Sequence, residues 1–170
     1  AWSRWYRRYR DPLGNGLALV THNWETGRDN NPEWDDALAA VDTSRVQPYQ
    51  RRDTGHVNPA LRPTQAEYDR YVAIVEFGRE RRWDAALIGR ENPFRMIDVG
   101  NSMMLLRADR DLLVMAGALG DTAAAAGLRA QIARSEAGVD WLWNEAAGAF
   151  CSRDVITGAS TGIVASASFL

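Results

Sequence analysis

The sequence predicts a mainly α-helical protein of helical hairpins joined by long polar loops, and three observations carry that reading. Trp2, Trp5, Tyr6 and Tyr9 recur at the i, i+3, i+4, i+7 spacing of one helix face, with Arg4, Arg7, Arg8 and Arg10 among them. Thr64 with Glu67 makes a capping box directly after Pro63, a helix-start signature. Gly120 and Asp121 separate two long apolar-periodic stretches, the first closing on a C′ glycine and the second opening on an Asp cap.

Taken in order, the first helix stops at Asp11-Pro12 and the Gly14-Asn15-Gly16 turn. Leu17 to Val20 is a short apolar run leading into the polar segment 21–35, and Asp35 to Val41 reads as a short helix. Residues 41–63, rich in Pro, Arg and polar side chains, read as one long loop, a length that is often functional. The capped helix carries Tyr68, Tyr71, Val72 and Val75. A further helix runs from about Gly100 to Leu119, with Met103, Met104, Leu106, Leu113, Met115 and Ala116 expected inward. Its partner passes through Leu128, Ile132, Val139 and Leu142. Residues 144–158 read as turn, short extended piece and turn.

Composition excludes several chemistries. All twenty basic side chains are Arg, so there is no lysine for a phosphate loop, a Schiff base or a Ser-Lys dyad. The net charge of −2 gives no footprint for nucleic acid, and no apolar run is long enough to span a membrane. Cys151 is the one cysteine, which rules out an internal disulfide and suits a cytoplasmic setting, with a signal peptide upstream of Ala1 left open. His22 and His56 lack the partners of a zinc site, and no calcium-loop spacing is present. His22 reads as a satisfied structural side chain, and His56 as part of a solvated loop or a mobile lid. Seven Trp either build core or line a stacking site: Trp24 and Trp34 are assigned to a site, Trp2, Trp5, Trp141 and Trp143 to helix packing.

The densest chemistry lies in WETGRDNNPEWD, residues 24–35. Glu25 and Asp29 stand four apart around Gly27 and beside two tryptophans. Glycosidic cleavage needs one carboxylic acid to protonate the leaving oxygen and a second carboxylate to activate water or to attack. Aromatic faces suit the C–H surfaces of sugar rings. Spacing alone fits equally an Asx-rich turn capping a helix at Pro32.

This string resembles the E-S-G-x-D-N-S-P-x-W-D signature of glycoside hydrolase family 63, with Thr26 and Asn31 where Ser is usual. The likeness continues through RRDTGHVNPALRPTQAEYDRY, FRMIDVGNSMMLLRADRDLLVMAGALGD and WLWNEAAGAFCSRDVITG, which are similar to bacterial glucosylglycerate and mannosylglycerate hydrolases. The resemblance implies an (α/α)6 barrel, hydrolysis with inversion, no cofactor, and a small carbohydrate as substrate. It implies Asp29 as general acid and Trp24 at the sugar. Glu25 and Asn30 become polar neighbours that orient sugar or acid, and Arg62 and Tyr68 face the glycerate. Asp98 and Asn101 are assigned to the site wall at a helix start.

The family's general base is a glutamate far downstream, and no glutamate follows residue 150 here. Residues 1–170 are therefore expected to be an incomplete barrel holding the acid half of the site, inactive alone and soluble only poorly or as a homo-oligomer. Two rivals stand beside this reading: a trehalase or oligosaccharide α-glucosidase on the same barrel, and a sugar-binding helical protein without catalysis.

Overall fold

The computed structural model describes residues 2–170, and of Trp2 only the backbone, so the packing expected of the Trp2 side chain lies outside the described residues. Six helices form among the described residues: α1 (Trp2–Tyr9), α2 (Asp35–Ala39), α3 (Gln65–Glu80), α4 (Ala85–Glu91), α5 (Val99–Ala118) and α6 (Thr122–Val139). Their ends follow local chemistry. Thr64 Oγ1 accepts from the Glu67 N–H while the Glu67 carboxylate accepts from the Thr64 N–H at 2.6 Å, so both halves of the capping box are present. Between α5 and α6, Gly120 takes φ +69° and Asp121 accepts from the Ala124 N–H at 2.9 Å, which makes the two helices a hairpin. Helix α4 was not expected, although Asp84 caps Ala86 and Leu87 at 2.9 Å each. At seven residues it is too short for periodicity to reveal.

A small antiparallel sheet organises these helices. β1 (Leu19–Val20), β2 (Met96–Ile97) and β5 (Arg153–Asp154) lie in the order β1-β2-β5, with Leu19 opposite Ile97 and Val20 opposite Met96. Alternation along the strands divides the core. Val20 and Met96 enter one cluster with Trp34, Leu38, Tyr71, Ile74 and Phe94, which seats α2 and α3. Leu19 and Ile97 enter a second with Leu17, Val99, Leu142 and Ala167. A separate hairpin, β3 (Trp143–Asn144) with β4 (Ala149–Phe150), turns at Gly148 with φ +61°. The sheet thus holds the start of the polar motif, the start of α5 and residue 152 side by side.

Three expectations about packing need correction. Met104 and Met115 are exposed, because the buried stripe of α5 is Ser102, Leu105, Leu106, Asp109 and Ala116. Two of those positions are polar and satisfied by distant partners: Ser102 Oγ accepts from the Ala18 N–H, and Asp109 pairs with Arg7 and Ser3. Hydropathy alone misses such a stripe. Trp34, assigned to a site, is 0% exposed and packs edge-on against Phe94 at 6.2 Å. Trp5 and Trp143, assigned to helix packing, are exposed.

Replacing Phe94 with Ala should destabilise the fold by about 3–5 kcal/mol, whereas Thr64→Ala should cost about 1 kcal/mol. Denaturant unfolding of the full-length protein checks both, and equal losses would contradict this division between core and cap.

Candidate active site

The motif segment is held almost entirely by its own side chains. His22 caps the 3-10 turn Asn23–Thr26 through Nδ1, which accepts from the Trp24 N–H at 3.1 Å, while Nε2 lies 3.1 Å from the Tyr71 carbonyl. Both contacts are satisfied together only by the neutral Nε2–H tautomer. Burial agrees, pushing the His22 pKa down against the pull of the Tyr71 carbonyl. Thr26 Oγ1 donates to the Asn23 carbonyl at 2.7 Å and accepts from the Arg28 N–H at 3.0 Å. Gly27 then reverses the chain at φ +68°, a conformation that favours glycine.

Asp29 follows. Its carbonyl accepts from Asn23 Nδ2 at 2.8 Å, and the preceding carbonyl, of Arg28, accepts from Trp34 Nε1 at 2.9 Å. Asn31 caps the next 3-10 turn, accepting from the Glu33 N–H at 3.1 Å. The backbone of Asp29 is pinned, yet its side chain is exposed and its carboxylate makes no hydrogen bond or ion pair among the described residues.

Aromatic rings stand beside it. Trp24 is 44% exposed, lies tilted against the His22 ring at 4.4 Å, and meets Tyr68 and Tyr71 edge-on at 6.2 and 6.0 Å. Tyr68 stacks on Tyr49 at 5.9 Å and carries the Arg51 guanidinium over its face at 4.4 Å. Asn30 and Arg62 line one open cavity of about 250 Å³ with Asp35, Pro63, Glu67 and Tyr71. The Arg-rich loop is anchored there. Asp53 takes both Nε and Nη2 of Arg51, at 3.1 and 2.7 Å, and Nε of Arg62 at 3.1 Å. Those guanidinium contacts, Arg51's foremost, hold the Asp53 carboxyl well below the usual range.

The remaining expected site residues have other commitments. Glu25 turns toward α1, where Arg10 Nη1 donates to both carboxylate oxygens at 3.2 and 3.1 Å and Thr21 Oγ1 donates at 2.9 Å. It therefore fastens the motif to the end of α1 rather than orienting Asp29. Asn101 Nδ2 donates to the Glu25 carbonyl at 3.3 Å. Asp98 begins a helix, as expected, but it is 0% exposed and lines no open wall. Its carboxylate accepts from the N–H groups of Gly100 and Asn101 and from Arg28 Nη2 at 2.6 Å.

Sequence reasoning passed over Arg28, Glu33 and Ser152. Arg28 Nη2 also lies 3.4 Å from Glu33, and Ser152 Oγ donates to Glu33 at 2.7 Å. Nothing in the local sequence signals this cluster, because its members come from three distant segments joined by the sheet.

Comparison with known proteins decides the family. The mannosylglycerate hydrolase MGH1-like glycoside hydrolase domain matches residues 1–170. The chain belongs to this family. Mannosylglycerate hydrolase MGH1 of Selaginella moellendorffii is 42% identical over 170 residues, covering 100% of this chain and 35% of the relative. A mannosylglycerate hydrolase of Thermus thermophilus is 39% identical, covering 100% and 40%. A crystal structure of a GH63 mannosylglycerate hydrolase from the same species, in complex with Tris and D-glycerate, superposes with a TM-score of 0.91 at 38% identity, covering 98% of this chain and 40% of that one. The chain thus spans 35–40% of the length of these relatives. The expected fold class holds: this MGH1-like chain is mainly helical and forms part of an (α/α)6 barrel domain.

Burial is the main cause pushing the Glu33 carboxyl above its ordinary range, opposed by Ser152 and Arg28. Folding therefore shifts Glu33 toward its protonated form relative to the unfolded chain. That contribution to stability is complete below the unfolded pKa of about 4.3 and is lost as pH rises through the higher folded value. Glu33→Gln, a neutral isostere, should match the parent in melting temperature near pH 4 and exceed it at pH 7. A variant less stable than the parent at pH 7 would contradict the sign.

Proposed function

We propose that the protein containing this chain hydrolyses the α-glycosidic bond of mannosylglycerate with inversion, and that residues 1–170 supply the general acid and much of the sugar face. One observation carries the reading. Of the carboxylates in and beside the motif, Glu25, Glu33 and Asp98 are engaged by Arg10, Arg28 or Ser152; Asp29 and Asp35 have no side-chain hydrogen bond or ion pair among the described residues, and of these two Asp29 lies in the loop whose carbonyls are fixed by Asn23 and Trp34. A general acid needs that combination, since it must reach the leaving oxygen and hold its aim.

In the proposed reaction, protonated Asp29 gives its proton to the glycosidic oxygen as the bond to the anomeric carbon breaks. Water attacks that carbon from the opposite face and loses a proton to a carboxylate base, releasing mannose of inverted configuration and glycerate. The base is assigned to a glutamate outside these 170 residues, consistent with relatives of which the chain covers 35–40%. An inverting pair stands roughly 6.5–9.5 Å apart, so the base would face Asp29 across the bound sugar. Trp24, with Tyr68 and Tyr71 behind it, offers an apolar face to the mannosyl ring. Arg62 presents its guanidinium to the glycerate carboxylate beside Asn30 in the shared cavity. The D-glycerate bound to the Thermus thermophilus relative supports an acidic aglycone over a second sugar.

Asp29→Asn in the full-length protein should lower turnover of mannosylglycerate by about 10²–10⁴-fold, the usual contribution of general acid catalysis, with substrate binding kept. Near-native turnover would remove Asp29 from the role. Arg62→Ala should raise KM for mannosylglycerate by roughly 10- to 100-fold, from about 1.5–3 kcal/mol for a charged hydrogen bond, while leaving hydrolysis of a neutral aryl mannoside unchanged. Hydrolysis of trehalose with none of mannosylglycerate would favour the trehalase reading instead.

A further inference from the structure

Arg28 sits next to the proposed acid and sends its side chain the other way. Its Nη2 reaches Asp98 at 2.6 Å and Glu33 at 3.4 Å, and the guanidinium lies over the Trp34 ring at 5.5 Å. Asp98 caps α5, and Ser152 Oγ accepts from the Val99 N–H at 3.3 Å while donating to Glu33. The motif loop and the first turn of α5 therefore meet on one guanidinium, and the segment after β4 joins them through Glu33 and the Val99 N–H.

As a stabilising device this cluster is poor. Asp98 and Glu33 are almost wholly buried, two carboxylates share a single cation, and Glu33 Oε2 and Arg28 Nε lack hydrogen-bond partners among the described residues. Buried ion clusters are frequently matched or bettered in stability by apolar residues of similar volume, so their use is better sought in geometry. The helix makes room for this one: a Cβ added at Gly100 would stand 2.6 Å from Arg28 Nη1, so glycine at this point lets the guanidinium lie against the helix start.

We infer that Arg28 is a positioning residue for catalysis, fixing Asp29 by clamping the adjacent side chain to Asp98 and Glu33 against the start of α5, with Gly100 as the seat of the clamp. The inference rests on the assignment of Asp29 as general acid. The neighbouring carbonyl contacts, Trp34 to Arg28 and Asn23 to Asp29, set the height of the loop, and the clamp fixes its rotation about them. An acid displaced by about 1 Å can lose roughly 100-fold in rate.

The test uses the full-length protein and the substitution Gly100→Ala. The added methyl removes no charge and no hydrogen bond, but it must displace the flexible end of Arg28; its other near neighbours, Ala167 Cβ at 3.3 Å and Asp98 Oδ2 at 3.4 Å, are only tight. Ala is also the better helix former. The melting temperature should therefore hold or rise while kcat for mannosylglycerate falls about 10-fold or more and KM changes little. Combining Gly100→Ala with Arg28→Lys, one bond shorter, should restore part of the loss. A second variant, Arg28→Met with Glu33→Gln and Asp98→Asn, neutralises the whole cluster without leaving a buried charge unpaired, and it too should fold and lose kcat. Native kcat in Gly100→Ala, when Asp29→Asn is inactive, would overturn the positioning role. Native kcat in Asp29→Asn would instead overturn the acid assignment beneath it.

Discussion

The ion pair between Arg28 and Asp98 is the contact on which the site depends. It spans 70 residues of sequence at 2.6 Å and joins a loop to a helix start. Each partner is fixed by a different kind of structure. Asp98 is set by the sheet, since Ile97 of β2 pairs with both Leu19 and Arg153, and by the two N–H groups of α5 that it caps. Arg28 is set by a loop whose every turn has a side-chain bond. A sheet of three short strands is thus enough to carry the geometry of the site, because it brings the three segments of the cluster into register.

Chemistry in this segment is divided between carboxylates that hold and carboxylates, Asp29 foremost, that have no side-chain partner among the described residues. Glu25 secures the motif to the end of α1, Asp98 secures it to α5, Glu33 secures it to Ser152, and Asp53 ties the two ends of the Arg-rich loop together through Arg51 and Arg62. With no lysine in the chain, every ion pair among these ties uses arginine, whose planar fork lets Arg51 hold Asp53 through two nitrogens, while Arg10 and Arg28 each reach two groups from one nitrogen. The outcome is a surface where the ring of Trp24 and the carboxylate of Asp29 face outward, with Tyr68 half-buried and Tyr71 buried behind them.

What was legible in the sequence was what is decided locally. The span of α1, the capping box at Thr64 and the Gly120-Asp121 junction depend on residues within one or two turns, and the structure has them where expected. The motif around Asp29 was legible through its resemblance to a family. The commitments of the other carboxylates were not: Glu25 waits on Arg10, and Asp98 on Arg28, neither of which spacing can pair. The same limit explains the tryptophans. Trp24 and Trp34 flank one motif ten residues apart, yet one is open and the other closed, because Phe94, from a distant segment, covers only the second. The inward stripe of α5 was misread for a related reason, since Ser102 and Asp109 are buried by partners on other elements.

The catalytic assignment requires residue 29 to face the bond to be broken. It is tested most directly by the crystal structure of the full-length Asp29→Asn protein with uncleaved mannosylglycerate. The side chain of residue 29 should lie within hydrogen-bonding reach of the glycosidic oxygen, about 2.6–3.2 Å, with the mannosyl ring against Trp24. A substrate whose glycosidic oxygen is turned away from residue 29, with another acid in reach of it, would contradict the account.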